Sequence, residues 1–190
     1  MSKANQLTSM PLRLVANMCL TNVAAVIGAT ASAFTTTGTG PASVGGILQT
    51  LAAQTNTALS ALAAADLPSA QANYVQPSGR TGFYTQPAGT TVYYVIGVNA
   101  SGSWKVVQGT FDPVAAQSTT ADPMQVSAYG GMLTPYAIGK SVIPDVPDGF
   151  TPVAVMKVVT SASAFVPATT ALTGLATFKN VSVLPVDGTF

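Results

Sequence analysis

The chain has 190 residues, enough for one domain with its own core, and an ordinary hydrophobic share of 48%, yet only 7% of it is charged, against about 25% in an average globular domain. The 7 basic and 6 acidic side chains leave a net charge of +1; every acid is Asp, and there is no His and no Glu. This excludes His-dependent nucleophile pairs, imidazole proton shuttles and His-containing zinc sites; it leaves no basic footprint for nucleic acid and, with Cys19 as the single cysteine, no disulfide within the chain.

So few charges imply a surface built from Thr, Ser, Gln, Asn, Gly and Ala. Such a surface suits an assembly, where charge is costly to desolvate, or a Thr/Ser-rich sheet of the kind found in fibres and shells. Disorder does not fit, because disordered chains are poor in apolar residues and rich in charge.

At the N-terminus, Lys3 and Arg13 precede an apolar stretch over 14–29, followed by the small residues Ala31-Ser32-Ala33. Pro11, Asn17, Thr21 and Asn22 interrupt the pattern a secretion signal needs, and no run of about 18 apolar residues reads as a membrane span. No membrane partner is expected. Residues 1–45 read as an N-terminal arm. Its tract 29–46, with Thr35-Thr36-Thr37-Gly38-Thr39-Gly40-Pro41, favours extended chain.

Residues 46–75 read as a helix and connector. From 47 to 65 Ala and Leu dominate, Gly45-Gly46 stands before the segment and Pro68 after it, so the composition predicts an α-helix. Leu48, Leu51, Thr55, Leu59 and Leu62 fall on one stripe of such a helix. That stripe either packs on the domain's own sheet or lines an oligomer axis, and these five residues are the candidate contact with a partner. Not one charged residue occurs from 14 to 65.

Residues 76–190 read as an antiparallel β domain, a sandwich or barrel, so the fold class is mainly β with one preceding helix. Thr-Val-Tyr-Tyr-Val-Ile-Gly-Val over 91–98, the loop Asn99-Ala100-Ser101-Gly102 and the β-rich run 103–109 predict a hairpin. Further strands are predicted over 136–143, 150–160 and 175–186, with Val153, Val155, Lys157 and Val159 sharing a face. Asp112, Asp122, Asp145, Asp148 and Asp187 sit beside Pro or Gly as turn residues. Lys105, Lys140, Lys157 and Lys179 each stand alone in a strand, a common guard against edge-to-edge association.

Chemistry-bearing groups are few. Asp145 and Asp148 offer two oxygens to a hard cation, but a rigid turn is the far stronger reading, and no metal, cofactor or catalytic residue is expected. Cys19 reads as a small buried hydrophobe. The sequons at Asn99 and Asn180 are of the kind a Ser/Thr-rich chain contains by chance. Tyr93, Tyr94 and Trp104 would make a sugar-binding platform if their rings were exposed, and core or cross-strand pairs if buried.

The run Tyr93-Tyr94-Val95-Ile96-Gly97-Val98-Asn99-Ala100-Ser101-Gly102-Ser103-Trp104, closing on Val106-Val107-Gln108-Gly109, resembles small virion structural proteins of tailed bacteriophages, as does Ile143-Pro144-Asp145-Val146-Pro147-Asp148-Gly149-Phe150-Thr151-Pro152-Val153. The similarity spans roughly 83–160. It implies a non-enzymatic capsid decoration, cement or head-fibre protein, located in the virion after assembly in the bacterial cytoplasm. Its implied partners are copies of itself, as a homotrimer, and the major capsid protein or other virion proteins. A tail, baseplate or fibre component is the neighbouring alternative, and a carbohydrate-binding module the third.

Overall fold

A computed structural model of the chain describes residues 17–20, 23–66, 82–109, 143–144 and 146–180. Its strands are β1 (Met18–Cys19), β2 (Ala25–Ile27), β3 (Ala33–Thr36), β4 (Gly40–Val44), β5 (Ile47–Leu51), β6 (Thr57–Ala58), β7 (Thr91–Val98), β8 (Trp104–Gln108), β9 (Thr151–Val159) and β10 (Ala176–Asn180). They form three sheets, each with antiparallel neighbours: β1-β4-β5, β2-β3-β6 and the central β10-β9-β7-β8. The chain is mainly β.

The predicted hairpin is present: β7 and β8 pair from Tyr94 opposite Gln108 to Val98 opposite Trp104. The predicted strand over 150–160 is β9, which lies between β7 and β10. Both central strands are buried on both faces, which explains why they read as continuous apolar runs instead of alternating ones. Val92, Tyr94, Ile96 and Val98 point into the larger core with Met156 and Val158. Tyr93 and Val95 point the other way, into a smaller core with Val107, Phe150, Val155 and Leu62. Each of these aliphatic and aromatic side chains removed from water contributes roughly 1.5–3 kcal/mol. The predicted strand over 136–143 lies outside the described residues except Ile143, which packs against the smaller core. Of the strand expected over 175–186, residues 176–180 form β10 and those beyond 180 are outside the described residues.

The expected N-terminal arm is corrected over its described part. Cys19, Val23, Ala25, Phe34, Ala42 and Val44 are buried in the larger core, where β1 and β4 pack on β9 and β2 packs on β10. Hydrogen bonds bind the two layers. The Thr151 hydroxyl donates to the Ser43 carbonyl at 2.6 Å, the Ala25 N–H to Asn180 Oδ1 at 2.6 Å, and the Leu172 N–H to the Ala31 carbonyl at 2.7 Å. The tract 29–46 is extended, as expected, but on this chain's own sheet.

The predicted helix over 47–65 is also corrected: this segment is β5, a loop, β6, an extended stretch and a 3-10 turn at Ala64–Asp66. Gly45 and Gly46 have φ of +59° and +82°, the left-handed pair that a two-residue hairpin turn requires. They turn β4 back into β5 rather than opening a helix. Asn56, at φ +51°, breaks the helical path again. Helix propensities differ by only tenths of a kcal/mol per residue, less than a strand gains by pairing and burial.

After β6 the chain crosses an edge of the central sheet. Leu59 lies in the larger core and Leu62 in the smaller one, on opposite faces. Between them Ala61 bridges Val106 in parallel, and the Ser60 carbonyl accepts the Val106 N–H at 2.7 Å. This covers the outer edge of β8.

Candidate interaction surface

Two of the strand lysines lie on outer strands, although for Lys105 that edge is already covered by segment 60–61. Lys105 is on β8 and Lys179 on β10, the two outer strands of the central sheet. Lys157 departs from the edge-guard reading: β9 is flanked on both sides, by β7 and β10, and Lys157 lies opposite Tyr93 and Thr177. Lys140 is outside the described residues.

The aromatic trio is buried. Tyr93, Tyr94 and Trp104 expose 7%, 0% and 9% of their surface, so they present no platform to a sugar. Trp104 packs against Phe34 with ring centroids 5.8 Å apart. Its Nε1 is a buried donor with no hydrogen-bond partner. Tyr94 instead joins a buried network: its hydroxyl donates to Gln86 Oε1 at 3.1 Å and accepts from Gln108 Nε2 at 3.0 Å. Gln86 Nε2 donates to the Thr90 and Val158 carbonyls, and Gln108 exchanges hydrogen bonds with the backbone N–H and carbonyl of Tyr84. Burial pushes the Tyr94 hydroxyl far above the usual phenol range, so it stays protonated. The network ties segment 82–90 across the sheet, a structural task.

The Asn99 loop is similarly occupied. Asn99 Oδ1 accepts from the Ser101 and Ser103 N–H groups, and Asn99 Nδ2 donates to Asp66 Oδ1 at 2.9 Å. With both ends of its amide engaged in the buried Asn99, this sequon holds a turn and is closed to a glycan. Asp66 also accepts the Ala63 N–H at 2.7 Å and pairs with Lys105 at 3.1 Å. Desolvation by burial pushes the Asp66 carboxyl up, but the Ala63 N–H, Lys105 and Asn99 together hold it below the ordinary value.

A pH dependence follows with a definite sign. An acid whose folded pKa is depressed contributes stability above its unfolded pKa of about 3.9, and that contribution is lost as pH falls through the folded value. Asp66→Asn is expected to lower stability by about 1–2 kcal/mol near neutral pH. The gap between wild type and variant should be constant from pH 7 to about 5 and close below about 4. Thermal melts at several pH values check this.

Of the turn acids, Asp148 is exposed ahead of Gly149, while Asp112, Asp122, Asp145 and Asp187 are outside the described residues. No cluster of three or more metal-ligating side chains gathers among the described residues. Cys19 is buried, as expected of a small hydrophobe.

The five residues of the expected contact stripe do not come together. Leu51, Leu59 and Leu62 are buried in the chain's own cores, whereas Leu48 and Thr55 are exposed. Helical spacing had grouped them, but strand and loop geometry separate them. A different surface takes the place of the stripe. The sheets β1-β4-β5 and β2-β3-β6 lie wholly within the uncharged stretch 14–65. The described charged residues, Asp66, Lys105, Asp148, Lys157 and Lys179, all lie outside these two sheets. On the neutral sheets Ile47 and Leu48 are 66% and 69% exposed, beside the hairpin turn, and Leu20 and Val26 are also exposed. This surface could have been located from the uncharged stretch; the choice of Ile47 and Leu48 within it required the hairpin.

No protein-family model, curated protein or solved structure matches the chain.

Proposed function

We propose that the chain is a non-enzymatic structural protein of a bacteriophage particle, one that decorates and cements the assembled capsid shell. The observation that carries this reading is the neutral layer: among the described residues, two of the three sheets hold no charged residue, and their exposed hairpin presents Ile47 and Leu48. Free proteins normally keep such a surface charged and patch-free. A protein that spends its working life against neighbours does not need those charges, and would have to desolvate them on docking. The resemblance of residues 83–160 to small phage virion proteins points to the same setting.

The mechanism is one of many weak contacts acting together. Each copy buries apolar and neutral polar groups, and repetition over the shell multiplies a small gain per site. Contacts of this kind lose little to salt. The test is copy number per purified particle, by quantitative mass spectrometry. Hundreds of copies are expected for a shell component. Tens or fewer would place the protein at a tail, vertex or fibre, and absence from particles would end the reading.

A further inference from the structure

Among the described residues, strand β5 is an outer strand of its sheet, and none of the usual edge guards stands on it. The two outer strands of the central sheet carry Lys105 and Lys179, and the β8 edge is further covered by Ser60 and Ala61. β5, with the sequence Ile-Leu-Gln-Thr-Leu, has no charge, no proline and no bulge against β4. Charged residues, prolines and bulges are the devices by which proteins keep sheet edges from joining.

The hairpin register defines what the open edge offers. With Gly45-Gly46 as the two-residue turn, Val44 and Ile47 close the hairpin, so Val44–Ile47, Ala42–Gln49 and Gly40–Leu51 exchange main-chain hydrogen bonds. Leu48 and Thr50 then direct their N–H and carbonyl groups away from β4. The opposite side of the ladder agrees: Pro41, facing Thr50, gives its carbonyl to the Leu20 N–H on the β1 side at 3.0 Å.

We infer that β5 is a self-pairing edge: a second copy of this chain docks on it antiparallel, about a two-fold axis at Gln49. Only that register uses both outward-facing residues, setting Leu48 against Thr50 of the other copy and the reverse, with four main-chain hydrogen bonds. Identical strands related by a two-fold axis carry the same groups, and here there is no charge to repel itself. The pairing also shields the exposed Leu48 side chains of both copies and yields a sheet of order β1-β4-β5-β5-β4-β1 across the contact. Strand pairing alone buries less than the roughly 1,200 Å² of a standard stable interface, so the isolated contact is expected to be concentration-dependent and to strengthen where copies are held side by side. The inference concerns the purified protein and stands whether or not the particle role does.

The experiment is sedimentation of the full-length chain from micromolar to millimolar concentration, beside two variants. Leu48→Lys with Thr50→Lys places like charges directly opposite one another. Thr50→Pro removes an outward N–H without touching the hairpin, because that N–H does not bond to β4. Wild type is expected to pass from monomer to dimer with rising concentration, and each variant to weaken the association about tenfold or more at unchanged melting temperature. Gln49→Cys, opposite itself at the axis, should cross-link copies on mild oxidation. A wild type that stays monomeric throughout overturns the inference. So does an oligomer that folded variants leave unchanged. If either variant fails to fold, the Gln49→Cys cross-link decides, and its absence at concentrations where wild type associates counts against β5 pairing.

Discussion

Leu51→Asp with Leu62→Asp is expected to unfold the protein outright, with no folded monomer along the way. Leu51 and Leu62 are 2% and 3% exposed, and they sit in the two separate cores on opposite faces of the central sheet. Each substitution gives up a buried leucine and buries a carboxyl with no designed partner, a cost of about 4 kcal/mol or more per site. Two such losses reach the total stability of an ordinary domain, about 5–15 kcal/mol. Because the sites lie in different clusters, the costs should add. Leu48→Asp, at an exposed position of the same segment, is expected to change monomer stability by no more than about 0.5 kcal/mol. Circular dichroism and urea denaturation of the two variants check this. A double variant that remains folded would mean that residues 51 and 62 are not core residues.

Gly97→Ala should be the most damaging single methyl in the described structure. The register of β7 against β9 shifts between Ile96 and Gly97: Ile96 faces Ala154 but Gly97 faces Pro152, leaving Val153 as the extra residue of a bulge. Proline, which has no N–H to give a ladder, is tolerated in this central strand because it sits at that bulge. The bulge drives the neighbouring chain against Gly97. A Cβ there would meet the Thr151 carbonyl oxygen inside contact distance and lie 2.7 and 2.9 Å from Cε1 and Cζ of the Phe150 ring. Neither can withdraw easily, since Thr151 also holds Ser43 and Phe150 fills the smaller core. The expected loss is about 3 kcal/mol or more, a fall in melting temperature of roughly 6–12 °C. Gly38→Ala is the control: a Cβ there meets nothing within 4 Å, and its melting temperature should stay close to wild type.

How much of this was legible in the sequence depended on how local the signal was. The hairpin over 91–109 and strand β9 carry their own evidence, β-branched and aromatic runs with an Asn/Gly loop between. The segment 47–65 does not. Its strand partner, β4, is a stretch of small residues whose pairing shows only once the chain is folded. Gly45-Gly46 was the available signal, since two glycines between two extendable runs fit a hairpin turn as well as a helix boundary. Sheets built from Ala, Ser, Thr and Gly over 23–44 give almost no alternation of polarity, so they read as an arm. The Gln86–Tyr94–Gln108 network was invisible for another reason: glutamine is ordinarily a surface residue, and only tertiary structure shows that every one of these partners is present. Of the expected contact stripe, Leu48 and Thr55 are at the surface because the first flanks the turn and the second lies in a loop. Leu51, Leu59 and Leu62 are leucines doing what leucines usually do.

The proposed role rests on linkage: a component that binds the assembled shell but not its free subunits shifts the equilibrium toward the shell. Even about 1–2 kcal/mol per site, repeated over many sites, gives marked resistance to heat and to the pressure of packaged DNA. The most direct measurement is DNA release against temperature for particles made with and without this protein, taken beside host adsorption. Particles lacking it should assemble and adsorb normally but release DNA at a clearly lower temperature, with little dependence on salt. An unchanged release temperature together with lost adsorption or missing tails would contradict the shell-cement reading and assign the chain to the tail or fibre.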